Sequence, residues 1–363
     1  MFSSITGRLG KEVETLKRIL GFNAKLRELH AGGHALNSSD SIFSELLSQA
    51  PDRINWRVFD HCAAITRLYA LYEQFVVDLV EDYLRQLPQI YSSYGDLPQA
   101  LRTQHRVGTG QILQKWSESG LYGHLAETTV AYGLVDGLRG QPGYTLLVDA
   151  FLIDPHNYRA DVLVKAFGHL GLADCFTFVK KQPEMKTFML TRDATETPET
   201  VLRDIVELRN QASHGSVSQE QIVSVQEVLS YSTFVQILCG ALVEMVERAV
   251  FTRRLQVCEN VCVGEVIHTF TGNIVGLRCH SGRIRVSERL VAKAATAAVG
   301  TTVVSMEIDR QKYEASDLAD GQEIGLQLDR KLKVGTKLMR LTPTPTEARR
   351  TDHSLAAADD YEI

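Results

Sequence analysis

The chain has 363 residues, 44% hydrophobic and 23% charged, long enough for two domains that each bury a core. A formal net charge of −5 excludes a generally basic nucleic-acid coat, so any contact with phosphate has to come from local patches. Six cysteines in a chain of this length point to reduced thiols in a cytosol, not to a disulfide framework.

The opening, MFSSITGRLGKE, has no basic segment followed by an apolar one, so no signal peptide is expected. Residues 1–45 read as a helical lead-in, with an amphipathic helix over 9–29 suited to an oligomer contact. Residues 46–254 read as a helical bundle. Within 56–87, Trp56, Phe59, Ile65, Leu68, Tyr72, Phe75, Leu79 and Leu84 recur at helical spacing in one wide stripe, and Pro88 is the expected stop. The stretch NYRADVLVKAFGHLG (157–171) predicts a helix with a Leu-Gly ending. Another is predicted over 197–214, with Thr197 as N-cap, Pro198 at the first helical position and Gly215 just past its end. Ser218 and Gln221 form a capping-box pattern that opens the next helix, running to about 252. Its most apolar window, 228–243, lacks a charge but falls short of the roughly 20 residues that span a bilayer. A buried helix is expected there, and no membrane partner.

The periodicity changes near residue 255, and 258–343 is strand-like, with turns at Thr271-Gly272, Ser281-Gly282, Asp320-Gly321 and Val334-Gly335. That module carries 12 Lys+Arg against 10 Asp+Glu, or +2. Residues 344–363 lack a packing face and read as a disordered tail. Cys258, Cys262, Cys279 and His280 are residue types that bind metals. A strand over 257–270 would hold Cys258 and Cys262 roughly 13 Å apart, however, too far for two tetrahedral zinc ligands. No metal and no cofactor is expected.

Two constellations carry chemistry. In RDIVELRNQASH (203–214), Val201, Ile205, Leu208 and Ala212 share an apolar face, while Arg203, Glu207, Asn210 and His214 line the opposite one. Arg209 sits roughly 140° from His214 on an ideal helix. A loosened last turn would let His214 swing toward Arg209, as would two copies of the helix meeting across an interface. A histidine can take a proton from a ribose 2′-OH or return one to the leaving 5′-oxygen. An arginine cannot lose its charge and presents a planar fork matched to phosphate. The set suits metal-free RNA cleavage, with Arg209 on the phosphate, His214 as acid and base, and Asn210 and Ser213 as orienting groups. The competing reading is a solvated helix end in which His214 offsets the C-terminal dipole. The second constellation is LRCHSGRIRV (277–286), read as a hairpin pairing His280 with Arg283 and Arg278 with Arg285. Alternation places those four on one face, either solvated or phosphate-binding.

The motif LRDIVELRNQASHG resembles the signature of the HEPN superfamily of RNases, which Arg209, Asn210 and His214 match position by position. ITRLYALYEQFVVDLVEDYL (65–84) resembles the early helix of one HEPN branch, with Tyr69, Tyr72 and Glu73 in its tyrosine–glutamate cluster. HNYRADVLVKAFGHLGL (156–172) resembles the helix upstream of the motif. The resemblance, over about 50–252, implies an all-α bundle that dimerises so that two Arg/His motifs form one cleft. It also implies a metal-independent endoribonuclease leaving a 2′,3′-cyclic phosphate, in toxin–antitoxin or phage-defence systems, with Glu207, Ser213 and Glu73 as supporting residues. Other members have lost catalysis and act as RNA- or protein-binding adaptors. The 258–343 module resembles the small β-barrel that forms the second domain of elongation factor Tu and other translation GTPases, closest over Ser305–Leu341, with Ser287-Glu288 replacing the usual Gly-Asp. No GTP-binding loop is present.

The expected fold class is multidomain α and β, a HEPN helical bundle followed by a translation-factor-type barrel. The expected partners are RNA, a second copy of the chain, and an antitoxin or defence-system protein.

Overall fold

A computed structural model describes residues 2–31, 45, 48–116, 122–140, 144–152, 157–172, 174–214, 217–295 and 297–341. Gly215 and the 344–363 tail lie outside the described residues, as does much of the 1–45 to 46–254 junction. Nine α-helices among them are α1 (Ser3–Ala31), α2 (Arg53–Ile90), α3 (Gln99–Gln114), α4 (Glu127–Leu138), α5 (Ala160–His169), α6 (Cys175–Val179), α7 (Pro183–Met189), α8 (Pro198–Ser213) and α9 (Val225–Val257). Nine strands follow: β1 (Asn260–Thr269), β2 (Ile274–Cys279), β3 (Gly282–Arg285), β4 (Arg289–Lys293), β5 (Ala298–Ile308), β6 (Gln311–Tyr313), β7 (Ala315–Leu318), β8 (Glu323–Leu328) and β9 (Lys337–Leu341). No helix of the described residues is long and apolar enough to cross a membrane.

The chain divides into two compact units, Met1–Asp82 with Val148–Val243, and Tyr83–Leu147 with Glu244–Ile363. The first unit is helical. Its core contains Ile65, Leu68, Phe75, Phe167, Val201 and Phe234, each nearly or fully buried. Of the apolar stripe expected on α2, Trp56 is half-buried and Phe59 is 72% exposed, since both lie ahead of the buried apolar run that starts at Ala64. α2 also runs past its expected stop. Pro88 removes one backbone donor, but the Tyr91 amide still bonds the Leu87 carbonyl (2.8 Å), so the last turn survives to Ile90.

α8 begins as its sequence dictates. The Thr197 hydroxyl accepts the Thr200 amide, the Thr200 hydroxyl accepts the Thr197 amide, and Pro198 occupies the first turn. The box at Ser218 and Gln221 is also formed, yet it opens only a 3-10 turn, Gln219–Gln221, because Ile222 returns to extended backbone. Ser224 caps α9 instead, its hydroxyl accepting the Glu227 amide at 3.0 Å. The helix expected over 157–171 starts later, at Ala160, because Asn157 takes a left-handed conformation (φ 57°). Its Leu-Gly ending is a Schellman-type cap: Gly171 has φ 67° and the Leu172 amide returns to the Phe167 carbonyl.

In the second unit, β4, β9, β1, β2, β8 and β5 pair antiparallel in that order, and β4 closes on β5. The result is a six-stranded barrel whose interior holds Val266, Leu277, Leu290, Val303, Leu326 and Leu338. Closure removes the free edges that an open sheet would expose. The last turns of α9 pack on it. Phe251 lies against Gly300, where an added Cβ would stand 2.6 Å from the ring, and Arg289 and Arg330 reach Glu247 at 3.6 and 3.5 Å. The strand expected over 257–270 begins only at Asn260, since α9 persists to Val257 and the Cys258 amide still bonds the Arg254 carbonyl. The separation estimated for Cys258 and Cys262 on one strand therefore does not apply. All six cysteines are free thiols, and no three His, Cys, Asp or Glu side chains of the described residues cluster as a metal site.

His105, on α3, is fully buried in the same unit. The Leu147 amide donates to its Nε2 (3.1 Å), so Nδ1 carries the proton and faces the Tyr94 hydroxyl (3.2 Å). Burial pushes its pKa down to about 4. The unfolded chain takes up that proton near pH 6.5, about 3 kcal/mol of differential protonation, so stability present above 6.5 declines as the pH falls toward 4. His105→Gln keeps an acceptor for Leu147 and does not titrate. Thermal melts at pH 7.5 and pH 5 should show a smaller acid-induced drop for the variant than for the wild type. Equal drops would mean that other groups carry the acid sensitivity.

Candidate active site

The site is assembled by two tyrosines one helical turn apart on α2. Tyr69 and Tyr72 are both buried and meet edge to face, with ring centroids 5.9 Å apart. The Tyr72 hydroxyl donates to the Tyr158 carbonyl (2.9 Å), and the Tyr69 hydroxyl accepts the Tyr158 amide (2.8 Å). The backbone just before α5 is thus clamped from both sides, which fixes the left-handed Asn157 beside it. An asparagine tolerates that conformation better than most residues do. Tyr69 also donates to Glu73 (3.4 Å), one turn further along α2.

Arg209 enters this cluster from α8. Its guanidinium lies over the Tyr69 ring, 4.6 Å from the centroid, and donates to Asn157 Oδ1 (2.9 Å) and Asn210 Oδ1 (3.0 Å). Neither partner is a carboxylate, so the cation is oriented by neutral acceptors and keeps its charge available for an anion. Burial, then the Glu73 carboxylate, raise the Tyr69 pKa to about 12, against the opposing pull of Tyr158 and Arg209. The phenol therefore stays protonated and neutral beneath the arginine.

His214 is placed differently. It is the C-cap of α8, exposed, with its amide shared between the Asn210 and Gln211 carbonyls (both 3.2 Å). Of the two routes by which His214 could meet Arg209, a loosened last turn is not seen among the described residues, and no hydrogen bond joins the two side chains. The Ser213 hydroxyl donates to the Arg209 carbonyl (2.9 Å), a helix-internal bond that does not involve the imidazole. Glu207 is exposed and pairs at 3.7 Å with Arg203, outside the tyrosine cluster. The structure therefore brings Arg209, Asn210 and Glu73 into one neighbourhood through Tyr69. It adds Asn157 and Tyr158, which sequence inspection placed only within a helix.

A family model described as RiboL-PSP-HEPN matches residues 35–248, more than half of the chain. The chain belongs to this HEPN family. No curated protein matches it. The HEPN span includes Tyr69, Asn157, Arg209 and His214 and ends within α9, ahead of β1.

In the barrel, the hairpin expected across Ser281-Gly282 is not formed. Both edges of β2 are already taken, by β1 and β8, so β3 pairs with β7 instead. Arg278, His280, Arg283 and Arg285 are all exposed, and the side chains of the first two are paired with acidic groups. Arg278 bonds Glu323 (3.0 Å), and His280 Nδ1 lies 3.2 Å from Asp320. Arg283 and Arg285 line a cleft of about 550 Å³ with Ser287, Glu288 and Arg340. Arg340 was not singled out from sequence because it lies 55 residues beyond Arg285, on β9. It donates to Glu288 at 2.6 Å and to the Arg283 carbonyl.

Tyr69→Phe removes the acceptor of the buried Tyr158 amide while keeping the ring under Arg209. Leaving that donor unsatisfied should cost about 1–3 kcal/mol, read as a lower urea midpoint. An unchanged midpoint would show that the clamp contributes nothing to the fold.

Proposed function

We propose that this HEPN protein is a metal-independent endoribonuclease whose catalytic centre is composite, built from two copies of the Arg209/His214 helix end at a homodimer interface. The observation that carries the reading is the arrangement of Arg209, a cation stacked on a neutral tyrosine and aimed by two amide oxygens. Such a group is preorganised to hold a scissile phosphate and to stabilise charge as it grows there. Asn157 and Asn210 serve as its positioning residues. His214, exposed at the same helix end, takes the proton from the ribose 2′-OH and returns one to the leaving oxygen. No described residue of the same subunit orients that imidazole against Arg209, which favours a site completed by a second copy.

The barrel, in the proposed reading, presents RNA, with tRNA or another translation-linked RNA the class that its likeness to translation-factor barrels suggests. Arg283 and Arg285 supply the phosphate contacts, with Arg278 and His280 weakened by their acidic neighbours. The biological setting is growth arrest or phage defence, with an antitoxin or defence-system protein as regulator. One observation favours a second reading, a non-catalytic RNA- or protein-binding adaptor: the two hydrogen bonds and the ring contact of Arg209 all lie within its own subunit, as a packing cation's would.

Wild type, Arg209→Ala and His214→Ala should separate the two. Only the wild type is expected to slow host growth and to cleave total RNA in EDTA, with losses of at least a hundredfold in each variant. Identical behaviour of three folded proteins would favour the adaptor. For the barrel, Arg283→Glu with Arg285→Glu should weaken RNA binding and flatten its salt dependence. Unchanged binding and salt slope would return that face to plain solvated surface.

A further inference from the structure

The barrel cleft between β3 and β9 is braced from within and carries an unmatched charge. β3 pairs with β7 on one side only. The Val286 amide bonds the Glu314 carbonyl, so antiparallel alternation points the main-chain groups of Arg283 and Arg285 to the opposite, unpaired edge. Two side chains stand there in place of a neighbouring strand. Arg340 donates to the Arg283 carbonyl, the Arg285 amide donates to Glu288 Oε2 (3.1 Å), and the Glu288 amide returns to the Arg285 carbonyl (3.2 Å). Arg340 Nε also donates to Glu288 Oε1 (2.6 Å), which ties the two together. Ser287, at the bend before Glu288, holds a left-handed conformation (φ 66°). The edge is thus closed to strand pairing, and the cleft of about 550 Å³ beside it is preformed.

That bracing commits the carboxylate of the cleft. Both oxygens of Glu288 are engaged, and Arg340 is neutralised by it. Arg283 and Arg285 line the same cleft and are exposed. Neither forms an ion pair among the described residues, even though Asp317 lies across the strand pair from Arg283. Elsewhere in the barrel, Arg278, Arg289 and Arg330 each have a carboxylate. The chain carries a counter-charge of its own nearby in sequence. Arg340 lines the cleft and Leu341 is the last described residue, so 342–363 departs from the site itself. Residues 352–363 contain Asp352, Asp359, Asp360 and Glu362 and no lysine or arginine. The 11 residues from Leu341 to Asp352 and the 21 to Glu362 reach at most roughly 36 and 69 Å, at about 3.3 Å per residue. A tether of that length holds the carboxylates near the cleft at an effective concentration on the order of millimolar.

We infer that the acidic segment 352–363 of the chain occupies this cleft, with its carboxylates on Arg283 and Arg285, and shields both arginines from RNA phosphate. The contact is autoinhibitory, since RNA has to displace the segment before it reaches the barrel face. Salt weakens the contact, because the charges that make it are exposed. The competition rests on the reading of Arg283 and Arg285 as RNA contacts; the occupancy does not.

A fluorescein-labelled peptide with the sequence of 352–363 tests the occupancy. It is added at low ionic strength to the full chain carrying Asp352→Asn, Asp359→Asn, Asp360→Asn and Glu362→Gln, which removes the resident acidic charge. Anisotropy should saturate, and a peptide with the same four neutral replacements should not bind. Adding Arg283→Glu with Arg285→Glu should weaken binding at least tenfold, while Lys165→Glu, exposed on α5, should leave it unchanged. The neutralised full chain should also bind an RNA oligonucleotide at least threefold more tightly than the wild type, and only while Arg283 and Arg285 are present. No saturable peptide binding, or binding unmoved by the arginine reversal, would overturn the contact. Peptide binding combined with an RNA affinity indifferent to the tail would overturn the competition. So would an equal RNA gain in the reversed background, which would be a general effect of net charge.

Discussion

One hydroxyl carries more of the candidate site than any other group. The Tyr69 oxygen accepts a buried backbone amide, and its ring is the surface on which Arg209 rests. Without that bond the segment before α5, with its left-handed Asn157, is held by only one of the two tyrosines, Tyr72. Without Asn157, half of the polar restraint on the guanidinium is gone. The dependence runs from a packing interaction in the helical core to the orientation of a charge at its rim. Because the restraining acceptors are neutral, the core fixes where the cation points without cancelling what it can do.

Much of this was legible in the sequence, for identifiable reasons. Thr197-Pro198 specified the start of α8 because capping is local, and the arginine–asparagine–histidine spacing is a property of one helix. The switch from helical to alternating periodicity near residue 255 marked the passage to strands because burial imposes those periods directly. The tyrosines at 69 and 72 could be noticed on α2, but not what they grip. Their partner is a main-chain amide and carbonyl 86 to 89 residues away, and backbone groups leave no signature in side-chain identity.

The misreadings have equally physical causes. The 277–286 segment satisfies every local rule for a hairpin, yet a strand has only two edges, and closure of the barrel gives both edges of β2 to other partners. The alternation of buried and exposed residues survives that change, while the strand neighbours differ. In consequence a row of four basic residues becomes two locally paired groups and two arginines joined by Arg340 from β9. Pro88 and Ser218 show the converse, since each carries a genuine local preference that the surrounding helix or turn uses without obeying as a boundary.

The proposed nuclease reading makes one chemical expectation, attack by a ribose 2′-hydroxyl on a phosphate held by Arg209, with His214 moving the proton. End-group analysis of RNA incubated with the purified protein in EDTA tests that most directly. The account predicts 2′,3′-cyclic phosphate and 5′-hydroxyl ends that disappear with His214→Ala. Products ending in 3′-hydroxyl and 5′-phosphate, or cleavage undiminished by that substitution, would contradict it.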